Sequence, residues 1–277
     1  MLAAEGQPKV RRLKKTAYVG VTILVVMVLM GLLVPLISPY SPTTSAGEQF
    51  EPPGLEHLFG TDSLGRDVFV RTFAAAQLDL ALALVGVAIP LLVGTIIGAM
   101  LGSTRAVVVS LLWQVVIDAI NAFPFIVLLI GVLGIVGTGL QGLLIALIGT
   151  GWARYARVAR TRALTLRDVE FVQVTEVLGY SRARVLLKHF LPNVYSEALA
   201  YGLSDFVLVI ITVAGLSYLG LGVRPPTPEW GGMMADGRLF LQRAWWITVF
   251  PGLALSLTAI GVSLIAESVV GWAKGEE

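Results

Sequence analysis

The chain has 277 residues, of which 56% are hydrophobic and only 14% charged, with a formal net charge of +2. Soluble domains carry roughly a quarter charged residues, so a mean hydropathy of +0.82 marks a polytopic membrane protein and excludes a soluble globular one. Cysteine is absent and the 2 histidines, His57 and His189, lie far apart, so neither a disulfide framework nor a metal-ligand pattern is present.

In chain order, the basic start MLAAEGQPKVRRLKK leads into an apolar run over 17–37 with no small-residue cleavage site. This predicts an uncleaved membrane helix behind a tail of residues 1–16. The segment 38–77 is rich in turn formers (Pro39, Pro42, Pro52, Pro53, Gly54) and closes on the amphipathic stretch HLFGTDSLGRDVFVRTF. Leu78 to Gly102 is a second span, with Asp79 at its start, where water can reach it, and Gly86, Gly94 and Gly98 at spacings that allow close helix packing. After a turn at Ser103 to Arg105, Val107 to Val136 is a third span carrying Asp118 and interrupted by Pro124. Leu140 to Tyr155 begins a fourth, which runs into the arginines Arg154, Arg157, Arg160, Arg162 and Arg167. The fifth covers about Val194 to Gly222, a Pro-rich loop occupies 223–245, and a sixth covers about Trp246 to Val270.

Only helices or closed barrels satisfy the backbone in lipid, and these runs are helix-length. The expected fold is therefore all-α: six transmembrane helices in one domain over 17–277. With the N-terminus inside, 15 of the 20 lysines and arginines fall on the cytoplasmic side, which places both termini in the cytoplasm. The pI near 9.0 is thereby explained by membrane orientation, and no nucleic-acid partner is expected.

Between the fourth and fifth spans lies a charged island, EFVQVTEVLGYSRARVLLKHFLP, from Glu170 to Pro192. Phe171, Val174, Thr175 and Leu178 share one helical face, Gly179 suits a left-handed helix end, and Ser181 can cap the next helix. Pro192, with no N–H and a fixed φ, is expected to stop that second helix before the fifth span. A helix-Gly-helix elbow of this kind suits docking of a soluble partner; a solvated linker is the plainer alternative.

The chain contains no phosphate-binding loop and no Gly-Lys pair, so it is not expected to hydrolyse nucleotide itself. No catalytic triad or cofactor site can be argued from its residues. Charges in hydrocarbon are costly, about 3 kcal/mol on insertion scales, which singles out Asp118 and Asp205: each either lines a translocation path or pairs with an arginine of the fourth helix. Arginines every third residue from 154 also match a voltage sensor, but the apolar stretch Leu140 to Ala153 precedes them and no selectivity-filter sequence follows. A channel or ion-coupled carrier working alone stays open as the second class of function.

Several motifs in order resemble ABC importer permeases of the dipeptide, oligopeptide and nickel class, specifically the second of their two permease subunits. FGTDSLGRDVFVR (59–71), DAINAFP (118–124), GWARYARVAR, the island, and LSYLGLGVRPPTPEWGGMMADGR (216–238) each look like the corresponding segment of that family. Gln173, Val174 and Thr175 stand where the family usually has Glu-Ala-Ala, and the terminus also departs from the family's usual ending. The resemblance implies ATP-driven import with no catalytic chemistry in this chain. It implies four kinds of surroundings: a homologous permease subunit, two ATP-binding subunits, an extracytoplasmic substrate-binding protein, and the lipid of a prokaryotic inner membrane. It assigns coupling to Glu170, Gln173, Val174, Thr175, Leu178, Gly179, Arg184, His189 and Pro192 within a loop over 154–192. It gives Arg66, Asp67, Trp230 and Asp236 as candidates for docking the binding protein. Peptides, nickel, oligosaccharides and other small solutes all remain open as substrates.

Overall fold

In the computed structural model, residues 7–104, 106–167, 169, 172, 178 and 180–273 are described. Among them the regular structure is entirely helical, with one isolated bridge between Thr61 and Asp67. The long elements are α1 (Gln7–Ile37), α2 (Val68–Ser103), α3 (Val107–Ala122), α4 (Phe125–Val136) and α5 (Leu140–Arg167). They continue with α6 (Arg182–Tyr218), the short α7 (Trp230–Gly237) and α8 (Trp246–Ala273).

Four of these, α1, α2, α6 and α8, are long and apolar enough to cross a membrane, and α3 with α4 makes a fifth if the bent pair is one span. The pair bends by 95° at the expected Pro124, whose ring denies the chain a continuous helix. The arginines of α5 keep it out of this group, although its 28 residues are enough to cross a membrane. The six-span expectation is compatible with this set.

Pro192 does not stop its helix. The chain is helical from Arg182 through Tyr218, with a π turn over Leu186–Phe190 in which Leu191 N–H donates to Leu186 O. Widening the helix just before the proline relieves the clash that its ring makes with the preceding turn. The expected Ser181 cap is present, its hydroxyl accepting from Arg184 N–H at 3.4 Å.

The chain packs as two compact units. The first comprises Met1–Leu84, Thr138–Gln141 and Phe206–Glu277. In it α1 lies along α8, and a Cβ on Gly20 would stand 2.5 Å from the Gly261 carbonyl oxygen, so the two backbones approach through their glycines. The second comprises Val85–Gly137 and Gly142–Asp205. Here the expected small face of α2 meets α5: Cβ atoms on Gly94 and Gly98 would sit 2.2 Å from Trp152 O and 2.3 Å from Ala156 O.

Candidate functional site

In the second unit every arginine of the α5 series has a polar partner. Their partners fall in two groups: Arg154 and Arg162 reach α6, while Arg157, Arg160 and Arg167 reach α3 and the end of α2. In the first group Arg154 Nη1 donates to Asp205 of α6, and Arg162 lies 3.3 Å from Glu197 of α6. In the second, Arg157 donates to Asp118 of α3 at 2.9 Å, Arg160 to Ser110 Oγ of α3 at 3.1 Å, and Arg167 to the Thr104 carbonyl at 3.2 Å. Asp205 is the most enclosed of these: it is 3% exposed, its second oxygen accepts from Tyr155 OH at 2.8 Å, and Phe125 covers the Arg154 guanidinium at 3.8 Å. Asp118 and Arg157 are each half exposed. The geometry therefore supplies the pairing alternative for both carboxylates, and it ties α5 to α3 and α6; rupture of the enclosed Arg154–Asp205 pair would strand a charge.

Below this ladder, Ala159, Ala163 and Leu166 of α5 close on Val172 and on Val185, Phe190 and Val194 of α6 as one buried apolar cluster. The segment between α5 and α6 is thus anchored at both ends. Leu178 is 63% exposed, and Arg184 is also exposed, with its guanidinium 5.2 Å from the Tyr180 ring centroid. His189 lies on the π turn, its carbonyl accepting from Asn193 at 2.7 Å, and Pro192 is exposed in the turn that follows. Glu170, Gln173, Val174, Thr175 and Gly179 lie outside the described residues.

In the first unit the GTDSLGRD stretch ties a knot ahead of α2. Asp62 Oδ1 accepts from Leu64 N–H at 2.8 Å and Arg66 N–H at 3.0 Å, while its Oδ2 takes Arg66 Nε at 2.6 Å. Asp67 caps α2 through Val70 N–H at 2.8 Å and holds His57 Nδ1 at 2.7 Å. Gly60 and Gly65 both have φ of +71°, a conformation that side chains with a Cβ resist.

The helix α7 is seated by two carboxylates. Glu229 accepts from Gly231 and Gly232 N–H at 2.9 and 2.7 Å, and Asp79 accepts from Trp230 N–H at 3.0 Å. The buried Trp230 indole donates to Thr72 O at 2.8 Å. Burial pushes the carboxyls of Glu229 and Asp236 above the ordinary carboxylate range, for Asp236 against the opposing pull of Arg66 and Arg71.

Of the four residues considered for docking, Arg66, Asp67 and Trp230 are 5%, 2% and 0% exposed and hold this segment together; the Asp236 side chain is 47% exposed. Asp79, expected within reach of water, is 2% exposed because α7 covers it. Sequence reading missed Glu229 and His57. A capping glutamate ahead of Trp-Gly-Gly is a weak signal, since Ser, Thr, Asp and Asn dominate that position. Among the described residues no group of three His, Asp or Glu could hold a metal ion.

Residues 94–273 match the family described as binding-protein-dependent transport system inner membrane component. The chain belongs to this family. Residues 11–53 of the permease match a second model, the N-terminal TM domain of oligopeptide transport permease C. The permease is 37% identical over 257 residues to a putative peptide transport system permease protein of Brucella suis biovar 1, covering 92% of this chain and 86% of that one. It is 33% identical to the oligopeptide transport system permease protein OppC of Bacillus subtilis, covering 93% and 85%. It is also 33% identical to the dipeptide transport system permease protein DppC of Alkalihalophilus pseudofirmus, covering 92% and 84%. It is accordingly a multi-pass inner-membrane permease subunit of the ABC importer type and not an enzyme.

Proposed function

We propose that this permease, as a single domain over 17–277 with six spans, forms half of the translocation path of an ATP-driven importer of di- or oligopeptides. The other half is a homologous permease subunit. Two cytoplasmic ATP-binding subunits receive the segment between α5 and α6, and an extracytoplasmic binding protein delivers the solute. The observation that carries this proposal is the anchoring of that segment: the buried cluster from Ala159 to Val194 joins it to α5 and α6 through Val172, and the arginine ladder ties α5 in turn to α6 and α3. A displacement of the segment then moves whole helices, because packed apolar cores and ion-paired helices shift as rigid bodies. The relatives named for peptides, dipeptides and oligopeptides support the solute class.

In this scheme Glu170, Gln173, Val174, Thr175, Leu178, Gly179 and Arg184 face the ATPases, with His189 and Pro192 in the first turns of α6. Both termini are cytoplasmic. Asp118 and Asp205 hold α3 and α6 to α5 as the partners of Arg157 and Arg154, and the segment held by Arg66, Asp67 and Trp230 presents Asp236 toward the binding protein. ATP binding shifts the inward-to-outward equilibrium only as far as the ATPases favour one state.

Affinity purification of the tagged chain in gentle detergent, followed by mass spectrometry of co-purifying proteins, tests the assembly. A second permease and proteins with phosphate loops are expected; a homo-oligomer alone would contradict it. Gly179→Pro, which cannot adopt a left-handed joint, is expected to abolish uptake while the chain still reaches the membrane. Unchanged uptake in that variant would remove the elbow from coupling.

A further inference from the structure

Where α2 ends and the segment between α5 and α6 begins, the second unit holds a cavity of about 600 Å³. Its polar wall includes Arg167, Arg182 and Tyr180, and its apolar wall includes Met100, Val185 and Phe190. Arg167 is held in place by its hydrogen bond to the Thr104 carbonyl. The size is that of a small-molecule site, and the lining has two characters. Two guanidinium forks match phosphate oxygens, while the apolar wall has no use for a small hydrated anion. Both α2 and α6 qualify as membrane-crossing helices, and the cavity lies at the end of one and the start of the other. On the α2 side, Met100, Ser103 and Thr104 set the cavity at the end of that helix's apolar run, where a span gives way to the headgroup layer. Basic pockets between transmembrane helices at this level bind anionic lipid headgroups.

We propose that this cavity binds an anionic phospholipid such as phosphatidylglycerol, with its phosphate on Arg167 and Arg182 and the start of its acyl chains along Met100, Val185 and Phe190. Val185 and Phe190 also belong to the cluster that anchors the α5–α6 segment. The bound lipid therefore supports the joint through which the permease would be driven. That consequence rests on the coupling role proposed above; the lipid site itself does not.

The test is native mass spectrometry of the full-length permease after incubation with an equal mixture of phosphatidylglycerol and phosphatidylcholine. Selective retention of phosphatidylglycerol is expected. Arg167→Gln with Arg182→Gln should weaken retention roughly 30-fold, about fivefold for each arginine. Ala183→Trp, which fills the cavity without changing charge, should also displace the lipid, and Lys188→Gln, an exposed neighbour outside the lining, should not. Retention equal for both lipids, or equally lost in Lys188→Gln, would overturn the proposal by reducing it to surface electrostatics. Displacement by added inorganic phosphate would overturn the lipid assignment in favour of a simple anion site. Because the readout needs no ATPase, failure here is distinct from failure of the importer assignment.

Discussion

Asp205 shows at the scale of one residue why a carboxylate can persist among apolar helices. Its two oxygens are taken by Arg154 and Tyr155, so it is costly to remove even though it catalyses nothing. Asp205→Ala would leave the Arg154 guanidinium buried and unpaired, at a cost of about 3–5 kcal/mol. A marked fall in the thermal transition of the detergent-purified chain is expected, with Asp205→Asn less severe because it keeps an acceptor. A transition unchanged in Asp205→Ala would mean that the pair contributes little. Glu229 makes a prediction of opposite kind. Its carboxyl is raised by burial, so the folded state holds a proton that the unfolded chain has already released. Stability from this group is therefore greatest on the acid side and falls as pH rises through the window above the ordinary carboxylate range. Glu229→Gln should flatten the stability-versus-pH curve just above the ordinary carboxylate range; a slope as steep as wild type would contradict that role. Both carboxylates and arginines are plain in the sequence, but the Arg154–Asp205 pairing crosses 51 positions and no local periodicity encodes it. Glu229 was hidden because its function is set by the glycine N–H groups that follow it and by burial under the chain, not by a motif.

At the scale of elements, the contact between α2 and α5 depends on the absence of side chains. Gly98→Val would gain helix propensity in isolation, yet its Cβ would stand 2.3 Å from the Ala156 carbonyl oxygen. The overpacking is expected to cost about 1–3 kcal/mol, read as a lower melting temperature; a higher one would show that the helices separate freely. The small-residue spacing was legible because close packing has that one signature. Boundaries were less so. The helix from Arg182 to Tyr218 begins well before the expected fifth span because the π turn at Leu186–Phe190 accommodates Pro192, and proline alone reads as a stop. The break at Pro124 was legible, but its 95° bend was not, since proline fixes one dihedral and neighbouring packing sets the rest.

For the whole molecule, composition and hydropathy were enough for the all-α membrane fold, because lipid leaves the backbone few alternatives. The family match over 94–273 accords with motifs readable along the chain. In the proposed importer the permease moves solute only when cytoplasmic ATPases act on the anchored segment between α5 and α6. Phe190→Ala, which opens the buried cluster at that joint, belongs to this scale: ATP hydrolysis by the assembled complex should persist while uptake falls. The most direct measurement is uptake of a labelled dipeptide into proteoliposomes, comparing the chain alone with the chain assembled with its partner permease, ATPases and binding protein. ATP-dependent uptake by the assembly and none by the chain alone is the predicted result. Uptake by the chain alone without ATP would contradict the importer and point to a self-sufficient channel or carrier.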